Sequence, residues 1–512
     1  GMKSIKTIGI VGAGAMGRGI AQIAAQAGFD VLLFDLNAQA VAAARDNLQQ
    51  MWEKLFSKGK ITSEQAQASL ARVQACSDIQ AMSQADLVVE AILERLDVKR
   101  DLFLQLEGIV STDCVLASNT SSLSITAIAA ACVRPERVAG FHFFNPVPLM
   151  KVVEIIDGLR TDRKTGDALM ELARAMGHTP VRAKDMPGFI VNHAGRGLNI
   201  EGLRLAQESV APFYQVDAIM REQAGFRMGP FELLDLTALD VSHPVMESIY
   251  QQFYDEPRFR PSPITAVRHA GGLLGRKTGE GFYRYPDGQQ QVTEPPAVPA
   301  LPAGLKVWVA PFHSVGHKRA STLLKSLGVG VVASETAPDD ALIIVTPFGE
   351  DTSSVVGGHQ LDGARTVALD TFFGLEQGKR RVLMCSPATL PQWRDAAHAL
   401  FASDDTPVSV IDDSAGFVGQ RIVATIVNVA CDIAQQTIAT PQDIDLAVSL
   451  GLAYPKGGPL SMGDALGAAH ILEILRAMFR VTGDSRYRAS LWLQRRVQLG
   501  MSLRDDPACV AV

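Results

Sequence analysis

The sequence predicts an α/β fold joined to an all-α fold: a parallel-sheet domain followed by a helical domain, the pair then repeated in degraded form. Three observations predict it. A β-branched strand passes through glycines into a helix and on to a second strand in "IKTIGIVGAGAMGRGIAQIAAQAGFDVLLFD", a βαβ unit. The periodicity turns helical from Gly188 to about residue 285, as in "FIVNHAGRGLNIEGLRLAQE". Finally, "DMPGFIVNHA" at residues 185–194 returns as "DSAGFVGQRI" at residues 413–422. A chain of 512 residues has room for this, because single cores stop growing near roughly 250–300 residues.

The elements follow in order. After the βαβ unit, buried strands at "ADLVVEAI", "CVLASNT" and "RVAGFHFFN" extend a doubly wound sheet over residues 1–184. A helical domain spans 185–285, and "PDGQQQVTEPPAVPALPAG", residues 286–304, has the Pro- and Gln-rich composition of a linker. Strands then recur at "KVWVAP", "DDALIIVTPF", "RTVALDTFF" and "RRVLMCSP" in a second sheet domain, 305–408, before a second helical domain, 409–512. Gly188, Phe189 and Asp217 stand at one constant offset from Gly416, Phe417 and Asp445, and "GPFELLD" is echoed by "GPLSMGD".

Composition removes several function classes. A net charge of −6 without a basic stripe excludes a polyanion partner such as nucleic acid. No stretch of apolar residues is long enough to span a membrane. Cys76, Cys114, Cys132, Cys385, Cys431 and Cys509 lie far apart with no C-x-x-C pair, so free thiols in a reducing, cytoplasmic compartment are expected. The leading Gly1-Met2 reads as a remnant before the native start.

The residues that carry chemistry begin with Gly12, Ala13, Gly14, Ala15, Met16 and Gly17, a G-x-G-x-x-G after a strand and opening a helix. Alone this is often a plain glycine turn. Here the second strand closes on Asp35, 18 residues beyond Gly17, placed to accept the ribose hydroxyls of a dinucleotide in a Rossmann-type domain. No Arg follows Asp35 to hold a 2′-phosphate, so NAD is expected over NADP. Further on, His142 ends one apolar strand and Glu154 lies in the next, where a carboxylate needs a partner. If the two strands fold back on each other, acid and imidazole form a base.

"VGAGAMGRGIA", "ASNTSSLSIT", "GFHFFNPVPLMKVVEI", "DMPGFIVN" and "GRKTGEGFY", in this order over the first 285 residues, resemble the L-3-hydroxyacyl-CoA dehydrogenase family of fatty-acid oxidation. The full length is similar to a bacterial long form of that family, associated with phenylacetate catabolism and a 3-hydroxyadipyl-CoA substrate. The resemblance implies that His142 is the base, supported by Glu154, and that Ser121 and Asn192 hold the substrate hydroxyl and acyl group. It also implies cofactor contacts from Glu90, Asn119 and Lys277, with Arg95 where the family often has Lys. Lys54 and Lys58 are candidates for CoA phosphates, against the alternative of a solvated face. A dehydrogenase of a free hydroxy or sugar acid, or a non-catalytic binding protein retaining the fold, are the competing functions.

The second copy is expected to have lost the chemistry. "FHSVGHKRAS" lacks the G-x-G-x-x-G, "RRVLMCSP" aligned with "RVAGFHFFNP" offers no histidine, and Gln420 replaces Asn192. His313 and His317 have the spacing of a zinc pair but no third ligand, so surface imidazoles and no metal are expected. Short family members dimerise through their helical domains. Residues 188–285 and 416–500 are therefore expected to form an intramolecular pseudo-dimer, with room for further homo-oligomerisation.

Overall fold

The computed structural model describes residues 4–507; Gly1, Met2 and Cys509 lie outside them. The chain divides into two compact units. One holds the chain up to His193 together with Gln436–Leu452, and the other holds Ala194–Gln435 together with the chain from Ala453. The helical half of each repeat is therefore not a self-contained body. Among the described residues no helix is long and apolar enough to cross a membrane.

The first unit is built on an eight-stranded sheet of order β3-β2-β1-β4-β5-β6-β7-β8. Its strands are β1 (Thr7–Val11), β2 (Asp30–Phe34), β3 (Val73–Cys76), β4 (Leu87–Glu90), β5 (Val115–Ser118), β6 (Val138–Phe143), β7 (Val152–Asp157) and β8 (Thr179–Lys184). Ile8, Ile10, Val31, Leu33, Leu87 and Val89 are buried where helices cover the faces, which is why the strands read as near-continuous apolar runs. β3 and β8 escaped the sequence reading because polar residues interrupt them, as in "VQAC" and "TPVRAK". The order reverses between β1 and β4, the switch point at which doubly wound sheets bind ligands beyond the carboxyl ends of their strands. Among the described residues only β6 and β7 run antiparallel in this sheet, and their register sets His142 opposite Glu154.

The edge of β8 is closed by the chain's far half. Arg182 N donates to Asp443 Oδ2 (2.9 Å) and Lys184 N to Ile438 O (2.8 Å), docking the helix Pro441–Leu452.

The second unit carries a five-stranded sheet, order β13-β12-β11-β10-β9. These are β9 (Val307–Val309), β10 (Leu342–Val345), β11 (Thr366–Leu369), β12 (Arg381–Cys385) and β13 (Val408–Ile411). Its last strand is met in the same way as β8: Ser409 Oγ donates to Gln215 of the helix Phe213–Glu222, and Gln215 stands at the repeat's constant offset from Asp443. In this unit the helices Arg196–Gln207 and Val418–Gln435 pack backbone to backbone. A Cβ added at Gly197 would lie 2.9 Å from Ile426 Cα. The buried Arg421 guanidinium joins them, meeting Glu201 at 2.8 Å and Glu208 at 2.9 Å, with Tyr487 at 2.9 Å. Asp235 and Asp464, the two closing aspartates of the echoed motif, each fasten a returning segment. Asp235 accepts from Phe282 N and Tyr283 N, and Asp464 from Leu503 N and Ser502 Oγ.

Candidate active site

The glycine loop is shaped by steric need at two of its glycines. Gly12 has φ +116°, and a Cβ there would lie 2.3 Å from Ala91 O; a Cβ at Gly17 would lie 1.8 Å from Gly12 O. Gly14, by contrast, meets nothing within 4 Å and caps the helix Ala15–Gln26 without a side chain. The N–H groups of that helix start are left for a ligand, and the positive end of its dipole suits a pyrophosphate. Asp35 steadies the loop by accepting from Ala13 N (2.8 Å) and Asn37 N (2.8 Å). It stands on the rim of a cavity of about 570 Å³ walled by Phe34, Leu36, Ile79, Val98 and Leu102, an apolar slot that fits a flat base. The residues present fit a dinucleotide.

Beside it lies a cavity of about 320 Å³ lined by Met16, Glu94, Lys99, Asn119, Ser121, His142 and Asn192, among others. His142 Nδ1 is 2.7 Å from Glu154 Oε1. Glu154 is fully buried, and its other oxygen accepts from Ile190 N (2.8 Å) and Val191 N (3.1 Å), so a desolvated carboxylate is satisfied without a second charge. The sequence delivers these donors through a turn: Gly188 (φ +76°) and Phe189 (φ +48°) take left-handed conformations and swing the chain from β8 into the helix Val191–Ala194. With Nδ1 committed to Glu154, the ring nitrogen left for a substrate is Nε2. Ser121, Asn119 and Asn192 line the same cavity as the dyad, as do Ala91 and Ile92 from the turn after β4.

Two expected contacts shift. Glu90 is fully buried beneath the cavity, where it pairs with Lys99 and accepts from Ser118 Oγ (2.5 Å). Arg95 occupies the cap position of the helix Leu96–Glu107, 61% exposed and paired with Asp97, so its side chain leaves the cavity. Glu94 and Lys99 line the cavity instead. Glu94 accepts from Ser121 N (2.9 Å) and Thr120 Oγ1 (2.8 Å), with Lys99 at 3.3 Å. Burial works to raise the Glu94 pKa, but Lys99 and these donors outweigh it and hold the carboxyl below its usual range. Lys99 stands one turn inside this helix and is buried, whereas Arg95 stands at its cap and is exposed; residues four apart share a helical face, so spacing alone does not separate the two. Lys54 and Lys58 are exposed at the end of the helix Ala38–Ser57, outside both cavities. Lys277 belongs to the second unit and pairs with Asp240 at 2.5 Å.

The second sheet corrects one expected alignment. Its antiparallel pair is β11 with β12, so "RTVALDTFF", not "RRVLMCSP", corresponds to "RVAGFHFFN". Arg137 and Arg365 open the two stretches and donate to backbone carbonyls at the foot of each sheet. Five residues beyond each Arg stand His142 and Asp370. Asp370 is fully buried and accepts from Gln420 Nε2 (2.9 Å), Phe372 N (3.0 Å) and Gln223 Nε2 (3.3 Å). Burial pushes its pKa up to about 6. His313 also differs from the expected surface imidazole. It caps the helix Ser314–Ser326 by accepting from Gly316 N (3.0 Å), lies 2.8 Å from Glu473 and packs on Phe348. Among the described residues no cluster of three metal-ligating side chains exists.

Comparison with known proteins agrees with this geometry. Residues 7–186 match the family described as "3-hydroxyacyl-CoA dehydrogenase, NAD binding domain", and residues 188–285 and 416–507 both match "3-hydroxyacyl-CoA dehydrogenase, C-terminal domain". The 3-hydroxyadipyl-CoA dehydrogenase of Escherichia coli K12 is 38% identical over 97% of this chain and 98% of its own. A probable 3-hydroxybutyryl-CoA dehydrogenase of Deinococcus radiodurans is 42% identical over 54% of this chain but 99% of its own, so that relative matches about half of this chain. Among solved structures, a 3-hydroxybutyryl-CoA dehydrogenase from Escherichia coli K12 superposes with TM-score 0.85 and 35% identity, over 97% of this chain and 99% of its own. With the dyad, the glycine cradle and the doubled C-terminal match in place, the chain belongs to the 3-hydroxyacyl-CoA dehydrogenase family and is an NAD-dependent dehydrogenase.

Proposed function

We propose that the first unit oxidises the C3 hydroxyl of a (3S)-3-hydroxyacyl-CoA to the 3-oxo thioester, with an adipyl-type acyl group as the preferred substrate. The observation that carries the reaction is the His142–Glu154 contact of 2.7 Å in a cavity also lined by Ser121 and Asn192. His142 Nε2 takes the hydroxyl proton. Glu154 fixes the ring tautomer by accepting from Nδ1 and stabilises the imidazolium as it forms. Ser121 and Asn192 hold the substrate oxygens so that the C3–H bond points along the cleft. NAD bound at the cradle is the acceptor for the hydride that leaves C3. Asn119 accepts from Phe143 N (2.8 Å), which keeps the strand end beside His142 in place. Glu94 and Lys99 supply polar contacts at the cofactor side of the cavity.

The adipyl preference rests on a relative of matching length, the 3-hydroxyadipyl-CoA dehydrogenase. Lys54 and Lys58 are assigned to the CoA phosphates, and the helices Arg196–Gln207 and Val418–Gln435 to an internal counterpart of a subunit interface. A chain of this composition, with Cys76, Cys114, Cys132, Cys385 and Cys431 free, is assigned to the cytoplasm. The test is NADH oxidation with acetoacetyl-CoA against acetoacetate, followed by a panel of 3-hydroxyacyl-CoA thioesters that includes the adipyl one. Turnover of the thioester alone supports the reading; equal use of the free acid rejects it. A butyryl preference overturns the acyl assignment.

A further inference from the structure

We propose that the helix Pro441–Leu452, contributed by the half of the chain that lacks the catalytic residues, positions the catalytic dyad of the first unit through contact of Gly451 with Val191. The inference deepens the reaction assigned above and rests on it. This helix lies within the first unit, docked on β8 through Asp443 and Ile438, with Lys184 Nζ also donating to Thr437 Oγ1 at 2.8 Å. At its far end, a Cβ added to Gly451 would lie 3.0 Å and 3.1 Å from the two methyl groups of Val191. Glycine is unfavourable inside a helix relative to alanine. Here its bare face allows the helix to rest directly on Val191, which is buried.

Val191 is one of two residues whose backbone N–H groups hold Glu154 Oε2, at 3.1 Å, with Ile190 at 2.8 Å. Glu154 in turn holds His142 Nδ1. Asn192, the next residue, lines the substrate cavity. A push on the Val191 side chain is therefore transmitted to the donors that aim the carboxylate and to a substrate contact, since a four-residue helix, Val191–Ala194, moves as one piece. Gly451 is a positioning residue: it touches neither substrate nor cofactor. The inactive half is in this respect part of the active site, which gives a physical reason for its retention.

The experiment compares wild type with Gly451→Ala, Gly451→Val and the double variant Gly451→Ala/Val191→Ala in the full chain, using NADH and acetoacetyl-CoA. Gly451→Ala is expected to lower kcat roughly three- to thirty-fold, the scale of a small misplacement of reacting groups, while Kd for NAD stays at the wild-type value. Gly451→Val lowers kcat further. Trimming Val191 in the double variant makes room for the new methyl and restores kcat towards wild type, an outcome that general loss of stability would not give. Wild-type kcat in Gly451→Val, or a double variant no better than Gly451→Ala, overturns the proposal. Should the Gly451 variants fail to fold, Asp443→Ala loosens the same helix at its other end: lowered kcat with unchanged NAD affinity supports the proposal, and unchanged kcat overturns it. An inactive wild type would instead defeat the assigned reaction, so the two failures are distinguishable.

Discussion

In each half of the chain the first strand of a sheet gives way to a helix, and the two transitions are built from opposite materials. The first uses Gly12, Gly14 and Gly17; the second has Pro311, His313 and Gly316 in the same places. Gly316 survives for the reason Gly17 is needed: a Cβ there would lie 2.3 Å from Thr346 Oγ1, so helix and sheet could not close. Gly14 leaves the helix start bare, whereas the His313 ring fills it and takes the Gly316 N–H for itself. The beds of the two sites diverge likewise, with His142 on Glu154 in one and Asp370 on Gln420 in the other. What persisted after duplication is packing, and what was lost is the set of groups left open for a ligand.

The strongest way to break the comparison is to carry the second half's residue into the first. His142→Asp removes the imidazole and should lower kcat by roughly 10²–10⁴-fold, the range for loss of a general base. NAD affinity should stay within about two-fold, because the dyad lies outside the glycine cradle. A steady-state assay with NADH and acetoacetyl-CoA reads the first quantity and a fluorescence titration the second. Turnover near wild type would mean that the dyad is not the base.

Gly14→His makes the corresponding exchange at the cradle. The new ring would cap its own helix, as His313 does, and deny those N–H groups to the pyrophosphate. Loss of two to three charge-assisted hydrogen bonds at about 1.5–3 kcal/mol each predicts at least a hundred-fold weaker NAD binding. Calorimetric titration checks it, and near- and far-ultraviolet circular dichroism unchanged from wild type would show that the fold is intact.

How far the sequence revealed all this depended on whether a property is local. The glycine loop, Asp35 and the linker composition are short-range features, and they were legible. The His142–Glu154 pair was legible because a twelve-residue separation between two apolar strands leaves few ways for a buried acid to be satisfied. Glu94 and Lys99 were missed in favour of Glu90 and Arg95, since which side of a strand end faces a cavity is fixed by the neighbouring strands. The place of Asp370 was missed for a related reason: the antiparallel pair that locates it is a property of the sheet, not of any one strand. The docking of residues 436–452 onto the first sheet carries no local signal at all, because its partners are about 260 residues away in the chain.

A subtler contrast concerns charge. Glu154 is satisfied by two backbone donors and an imidazole, while Asp370 has only amides and one backbone N–H, and burial raises it to about 6 from 3.8. A carboxyl whose folded pKa is raised contributes stability that is present below the unfolded value, near pH 4, and is lost as pH rises through 6. The loss amounts to at most roughly 3 kcal/mol for a shift of this size. Asp370→Asn removes the titration. The difference in urea midpoint between this variant and wild type should therefore widen in favour of the variant from pH 4 to pH 7. A constant difference across that range would show that Asp370 titrates normally.

The smallest expected effect is the most direct test of whether the second half can be reawakened. His313→Gly empties the helix start and removes the cap, the Glu473 contact and the tilted ring contact with Phe348, at a cost of about 1–2 kcal/mol. It should not create a second NAD site. Pro311 holds φ near about −65°, whereas the corresponding Gly12 needs φ +116°. The strand that would wall the base is also reduced, among the described residues, to a single bridge between Val307 and Val331. NAD titration of the variant should therefore give the wild-type stoichiometry of one per chain. A second equivalent would mean that the side-chain plug alone separates the two halves, and that the proline and the missing strand matter less than their geometry implies.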